Sequence, residues 1–101
     1  MEEEKVVYII VGQFAVNENL YNNMKEDLSN CVLYIGEDKE VTYNLFEKLV
    51  KQEKEKSWIK DLTQSDKEIE YEENKSEFFY RDSENKKYTH LQVVRKLLNI
   101  Y

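Results

Sequence analysis

The chain has 101 residues, of which 41% are hydrophobic and 36% are charged, and its net charge at neutral pH is -6. This length supports one domain with a modest core, so we treat residues 1–101 as a single domain. The acidic total argues against non-specific nucleic-acid binding, which depends on neutralising phosphates. Cys31 is the only cysteine, which excludes an intramolecular disulfide and a cysteine-rich metal site.

The first residues, Met-Glu-Glu-Glu-Lys, are acidic where a secretory signal would be basic. No apolar stretch approaches the roughly 18 residues that a membrane-spanning helix needs. We therefore expect a cytoplasmic protein that does not contact membranes.

The first apolar run covers residues 6–11, is β-branched at five of six positions and is followed by Gly12. This pattern predicts a strand that is buried on both faces. Residues 31–35 form a second apolar run and predict a second strand. Between them, Asn17 can cap a helix whose apolar stripe is formed by Leu20, Tyr21, Met24 and Leu28. The alternative is a long hairpin loop of Asn-rich turns. If the helix forms, the unit is either βαβ or a βα followed by an antiparallel return.

The clearest helical pattern runs over residues 42–55, with an apolar stripe formed by Leu45, Phe46, Leu49 and Val50. Trp58, Ile59 and Leu62 form a second short stripe that is out of phase with the first. We therefore predict a kink or break at Ser57, with Trp58 packing back on the core.

Residues 68–72 alternate polar and apolar side chains, and residues 77–82 can form their antiparallel mate. A capping box at Ser65 and Glu68 favours a helix instead, so that alternative stays open. At the C-terminus, Thr89 and Gln92 fit a capping box. The helix that they predict has an apolar stripe formed by Leu91, Val94, Leu97, Leu98 and Tyr101.

These elements predict an α+β fold, with three to four helices packed on a small mixed or antiparallel sheet in a single pair of layers. The predicted sheet is led by residues 6–11 and 31–35, and the predicted hairpin lies near residues 69–80. The sequence leaves the strand order and the oligomeric state open, a homodimer included.

Charge is concentrated in the predicted hairpin, because residues 66–84 contain eight acids and three bases. An acidic ribbon of this kind can dock on the basic surface of a protein partner, as a mimic of nucleic-acid phosphates, or can simply be solvated. Aromatic side chains beside the carboxylates can serve as anchors. The predicted partner-binding residues are Glu70, Tyr71, Glu72, Glu73, Glu77, Phe79 and Tyr80. We expect Tyr71, Phe79 and Tyr80 to be exposed and Phe78 to point inward.

Small size, acidity and the absence of a reaction motif are typical of inhibitor, immunity or anti-defence proteins of phages and other mobile elements. We therefore predict a non-catalytic binding protein. Its sole histidine, His90, lacks an evident nucleophile, and its many acids form no distinctive pair. No calcium loop or Gly-rich phosphate cradle is present, so we predict neither a metal nor a cofactor.

The alternative function is duplex DNA binding. After Asn85 the chain has no acids and four bases, and a winged helix-turn-helix layout would place a hairpin after helices in residues 42–62. The residues that such a wing would present to DNA are Arg81, Lys86, Lys87 and His90. Net charge opposes this alternative, and no glycine marks a helical turn.

Overall fold

The computed structural model describes residues 3–15, 18–22, 31–60 and 67–100. These residues form five strands and two helices. In chain order, the elements are β1 (Glu3–Ala15), α1 (Glu18–Asn22), β2 (Cys31–Gly36), α2 (Lys39–Lys54), β3 (Ile69–Glu73), β4 (Glu77–Asp82) and β5 (Lys87–Ile100). All five strands belong to one sheet with the order β2-β1-β5-β4-β3.

Every neighbouring pair of strands in this sheet is antiparallel. The central pair is β1 with β5, whose register runs from Glu3 opposite Ile100 to Ala15 opposite Tyr88. The predicted fold class is therefore wrong. The described residues contain one long helix and one of five residues, not three to four helices packed on a sheet.

The main error is the predicted C-terminal helix, which is strand β5. A capping box stabilises a helix only locally, and a helix of this length is marginal without tertiary packing. Here β1 supplies thirteen paired positions, and Thr89, Val93 and Val94 are β-branched residues that suit a strand. Pairing with a distant strand outweighs the local helix signal.

The predictions for the other strands are largely confirmed. β1 includes residues 6–11, and β2 returns antiparallel to it, so the βαβ alternative is wrong. β3 and β4 form the predicted hairpin. A register shift between Ile10 and Val11 makes Leu33 an extra residue in β2, which is a β-bulge.

Helix α2 confirms the predicted long helix and begins after Asp38, whose carboxylate accepts the Val41 N–H at 3.1 Å. It ends at Lys54, before the predicted break, and the half-buried Trp58 packs on the core as expected. Of the predicted helix from Asn17, the structure describes α1. Met24, Leu28 and Leu62 lie outside the described residues.

The core lies between α2 and one side of the sheet. It is formed by Ile10, Phe46, Val50, Phe78, Tyr80 and Leu91. Because directly opposed residues point to the same face, the registers assign every strand residue to one of two sides. We call the side under α2 the helix side and the other the open side. On the open side of β1, Val7 and Ala15 are buried, while Ile9 and Val11 are only half-buried.

Candidate partner-binding surface

The β3–β4 hairpin places the predicted partner-binding residues on two different sides of the sheet. Phe79 pairs with Glu72 and Arg81 pairs with Glu70. These residues and Glu77 point to the open side. Tyr71, Glu73 and Tyr80 point to the helix side because they alternate with the first set.

We define the acidic face as Glu70, Glu72, Glu77 and Phe79. Glu70 and Glu72 are exposed on the edge strand β3, and Phe79 lies half-buried beside them on β4. Glu70 is 3.9 Å from the Arg81 guanidinium, and both groups are well exposed, so this ion pair holds the carboxylate weakly. The Glu72 carboxylate forms no hydrogen bond or ion pair with any described residue. Carboxylates flanking an aromatic ring can receive a Lys or Arg side chain of a partner.

A hydrogen-bonded chain of side chains borders the acidic face on β5. His90 Nε2 lies 2.8 Å from Glu77 Oε2, and the Tyr88 hydroxyl lies 3.4 Å from His90 Nδ1. Gln92 also donates to Glu77, at 3.3 Å. The hydrogen bond with His90, aided by Gln92, lowers the pKa of Glu77 despite the opposing effect of burial. Glu77 is therefore held as a carboxylate.

Helix α1 adds Tyr21 to the same side. Arg81 Nε donates to the Tyr21 hydroxyl at 2.8 Å, and Lys86 Nζ lies 5.3 Å from the centre of the Tyr21 ring. Burial favours a higher pKa for Tyr21, but hydrogen bonds with Ser83 and Arg81 and the positive charges of Arg81 and Lys86 outweigh it and lower the pKa. The hydrogen bond to Tyr21 raises the pKa of Arg81. This contact fixes the guanidinium at the border of the acidic face.

On the helix side, Tyr80 is fully buried, so the expectation that it is exposed is wrong. Its hydroxyl accepts the Lys60 N–H at 3.2 Å, which gives it a structural role. Tyr71 is exposed as expected, at 39%, and Phe78 is buried as expected, but Phe79 is half-buried and not exposed as predicted. Tyr80 shares the two-residue period of Phe78, and this alternation is the physical reason for its burial.

Glu73 also lies on the helix side, where its carboxylate is 2.6 Å from the Lys54 ammonium and accepts the Tyr71 hydroxyl. Burial favours a higher pKa for Glu73, but the hydrogen bonds from Lys54 and Tyr71 outweigh it and lower the pKa. Burial and the Glu73 carboxylate together raise the pKa of Tyr71. Glu73 therefore ties the hairpin to α2.

An open groove of about 1390 Å³ lies on the helix side between α2 and the β3–β4 turn. Four of its lysines form no ion pair with any described residue: Lys39, Lys48, Lys51 and Lys75. The groove is also lined by Glu40, Glu47 and Glu73, so its five lysines and three carboxylates give it a mixed charge with a slight positive excess.

Of the four predicted DNA-binding residues, Arg81 and Lys86 both contact the Tyr21 ring, whereas Lys87 points to the other side of the sheet. Arg81 and His90 point to the open side and are bonded to Tyr21 and Glu77. Lys86 lies in the β4–β5 turn with a positive φ of 56°. Lys87 points to the helix side, where its Nζ is 5.5 Å from the centre of the Trp58 ring. In the described residues, α2 is followed by turns through residue 60, without a second helix that could read a groove.

Tyr21, Tyr88 and Gln92 were not predicted as site residues. Tyr88, His90 and Gln92 are spaced two apart, which is the period of one face of a strand. This spacing could have revealed the polar stripe, had the segment not also fitted a helix.

Within the described ranges, no three His, Cys, Asp or Glu side chains are arranged to hold a metal ion. No described helix is long and apolar enough to cross a membrane. Comparison of the chain with protein-family models, curated proteins and solved structures gives no significant match.

Proposed function

We propose that this chain is a non-catalytic binding protein whose acidic face docks on the basic surface of a protein partner. The supporting observation is that Glu70, Glu72 and Glu77 lie next to Phe79 on the same side of the sheet. Attraction between opposite charges steers such a partner and fixes its orientation, while the ring provides buried area.

The β4 half of the hairpin, which carries Glu77 and Phe79, is anchored in both the sheet and the core. β4 is paired on both edges, to β3 and to β5, and the buried Phe78 and Tyr80 anchor it in the core. A preorganised surface loses little conformational entropy when it binds. An inhibitor, immunity or anti-defence protein acts in this manner, by occupying a partner without chemistry.

A solvated edge strand is the competing explanation for the carboxylates, since charged side chains commonly guard sheet edges against pairing. The two explanations differ in where the charge must lie. Protection of the edge requires only that charged side chains be present on β3, whereas docking requires carboxylates on the open side beside Phe79.

Affinity capture with three versions of the chain as bait tests the proposal. The baits are the wild type, the double variant Glu70→Lys/Glu72→Lys, and a control, Glu47→Lys/Glu55→Lys, with the same change in net charge on exposed positions of the α2 segment. Quantitative mass spectrometry of the lysate of the encoding organism should find basic proteins retained by the wild type and the control but lost by the acidic-face variant. Identical capture by all three baits contradicts the proposal.

Duplex DNA is a separate outcome of the same experiment. If the acidic face is the binding surface, nuclease treatment of the lysate leaves capture unchanged. If capture instead depends on DNA and falls steeply as salt is added, the result contradicts a protein partner.

A further inference from the structure

The two edges of the sheet differ sharply in charge. Edge strand β3 has the sequence IEYEE and presents Glu70, Glu72 and Glu73. At the opposite edge, β2 has the sequence CVLYIG and contains no charged side chain, although 36% of the chain is charged. Charged residues protect an edge from pairing with another strand, and β3 has this protection whereas β2 does not; β2 has a bulge at Leu33, which twists that edge locally.

The side chains of β2 are apolar and exposed. Val32 is 54% exposed, Leu33 39% and Ile35 61%, which are among the largest apolar exposures in the described residues. Val32 lies opposite Val11, and Ile35 lies opposite Ile9. The bulge at Leu33 therefore turns Val32 and Ile35, which are three residues apart, to the same open side. Because of the bulge, Val32 and Ile35 together form an exposed apolar surface on the open side of β2.

We propose that β2 pairs antiparallel with β2 of a second copy of this chain, across a two-fold axis, to form a continuous ten-stranded sheet. The hydrophobic pattern sets the register because Val32 then lies opposite Ile35 of the second copy, and Leu33 lies opposite its Tyr34. A two-fold axis makes the interface self-complementary, so each of these pairs occurs twice.

A second copy meets the least charge repulsion at this neutral edge. Two chains of net charge -6 repel each other, and β2 is a neutral strand on which they can approach. Of the two acids that follow β2, Glu37 forms an exposed ion pair with Lys5 at 2.5 Å, and Asp38 caps α2. Antiparallel pairing in this register also separates the two copies of Glu37 by about 23 Å, taking roughly 3.3 Å per residue. Parallel pairing would place them side by side.

This inference does not rest on the proposed function, but it has a consequence for it. The open sides of both copies lie on the same side of the continuous sheet. The two acidic faces then lie at its opposite ends. Nine strand spacings of roughly 4.8 Å separate them by about 43 Å. A dimer would present two docking surfaces to a partner.

Sedimentation equilibrium of the full chain over about 10 μM to 1 mM tests the inference. The mass should approach twice the 12.3 kDa of one chain, and Val32→Lys/Ile35→Lys should weaken dimerisation at least tenfold with an unchanged circular dichroism spectrum. Leu97→Lys/Leu98→Lys, which replaces two apolar residues that are 57% and 47% exposed on β5 and changes the net charge equally, is the matched control and should dimerise like the wild type. A monomeric wild type, or a dimer that survives the β2 double variant, overturns the inference.

Crosslinking tests the register. In a Cys31→Ser background, Val32→Cys and Ile35→Cys are prepared as separate proteins and oxidised with copper phenanthroline. Mixing them should yield a disulfide-linked dimer, because opposed residues have Cβ atoms about 4.5–5.5 Å apart. Each protein alone should crosslink weakly, since like positions are about 10 Å apart. Equal crosslinking in all three samples overturns this register.

Discussion

Glu77 on β4 and His90 on β5 are joined by a hydrogen bond of 2.8 Å between the carboxylate Oε2 and the imidazole Nε2. The contact depends on the pairing of two strands whose residues are thirteen positions apart in the chain. It lies at the border of the acidic face and determines the charge state of one of its carboxylates.

The first prediction concerns pH. Because the folded-state pKa of Glu77 is lowered, this group stabilises the fold above its unfolded pKa of about 4.3, and the stabilisation is lost as pH falls through the lower folded value. Titration of the Glu77 carboxyl carbon by NMR should give a midpoint below about 4.3. His90→Gln should move that midpoint upward, because it removes the hydrogen bond with His90, which is the main cause of the lowered pKa. A midpoint at or above about 4.3 in the wild type would refute the role of this contact.

The second prediction concerns the turn between β4 and β5. Asp82 is fully buried, and its carboxylate accepts the N–H groups of Glu84 and Asn85, each at 3.1 Å, and the Asn85 side-chain amide at 2.8 Å. Asp82→Ala leaves these donors without this acceptor and should lower the free energy of unfolding by about 2–4 kcal/mol. Asp82→Asn, which keeps an acceptor oxygen, should lower it less. Urea unfolding measures both, and equal losses would contradict this assignment.

The third prediction uses the neighbours Phe78 and Phe79. Phe78 is buried on the helix side, so Phe78→Ala should lower the free energy of unfolding by about 3–5 kcal/mol. Phe79 is half-buried on the open side, where its ring contacts Tyr88 and His90 edge-on. Phe79→Ala should reduce stability less and weaken partner binding. Thermal unfolding gives the comparison, and a larger loss for Phe79→Ala would contradict the assignment of sides.

The fourth prediction concerns Gly12 in β1. A Cβ there would lie 2.7 Å from Phe14 Cε2 and 3.2 Å from Leu91 Cδ2. Leu91 is buried in the core, so Gly12→Ala should require a shift in packing and lower stability by about 1–3 kcal/mol. Urea unfolding tests this, and a stability equal to that of the wild type would show that the Phe14 ring moves aside freely.

Local patterns in the sequence identified α2 and the strands β1 to β4, because the apolar period and the turn residues act over a few positions, although α2 begins at Lys39 and not at Thr42 as predicted. The C-terminal segment could not be assigned in the same way. Leu91, Val94 and Leu97 fit a helical stripe. The segment is a strand because it pairs with β1 over thirteen residues. Non-local pairing of this kind is not encoded in any short window.

The candidate site was predictable in part. The concentration of acids in the hairpin was visible, and the two-residue period of a strand already implied that Tyr80 points inward with Phe78. The contact between Glu77 and His90 was not visible, because it requires the register of β4 against β5.

The most direct test of the central claim compares two single charge reversals. For a basic protein captured by the wild type, isothermal titration calorimetry should show that Glu72→Lys weakens binding at least tenfold, or about 1.4 kcal/mol. Glu47→Lys changes the net charge equally on α2 and should alter the affinity less than twofold. Equal effects of the two variants would show that only the total charge matters and would contradict an acidic face that docks on a partner.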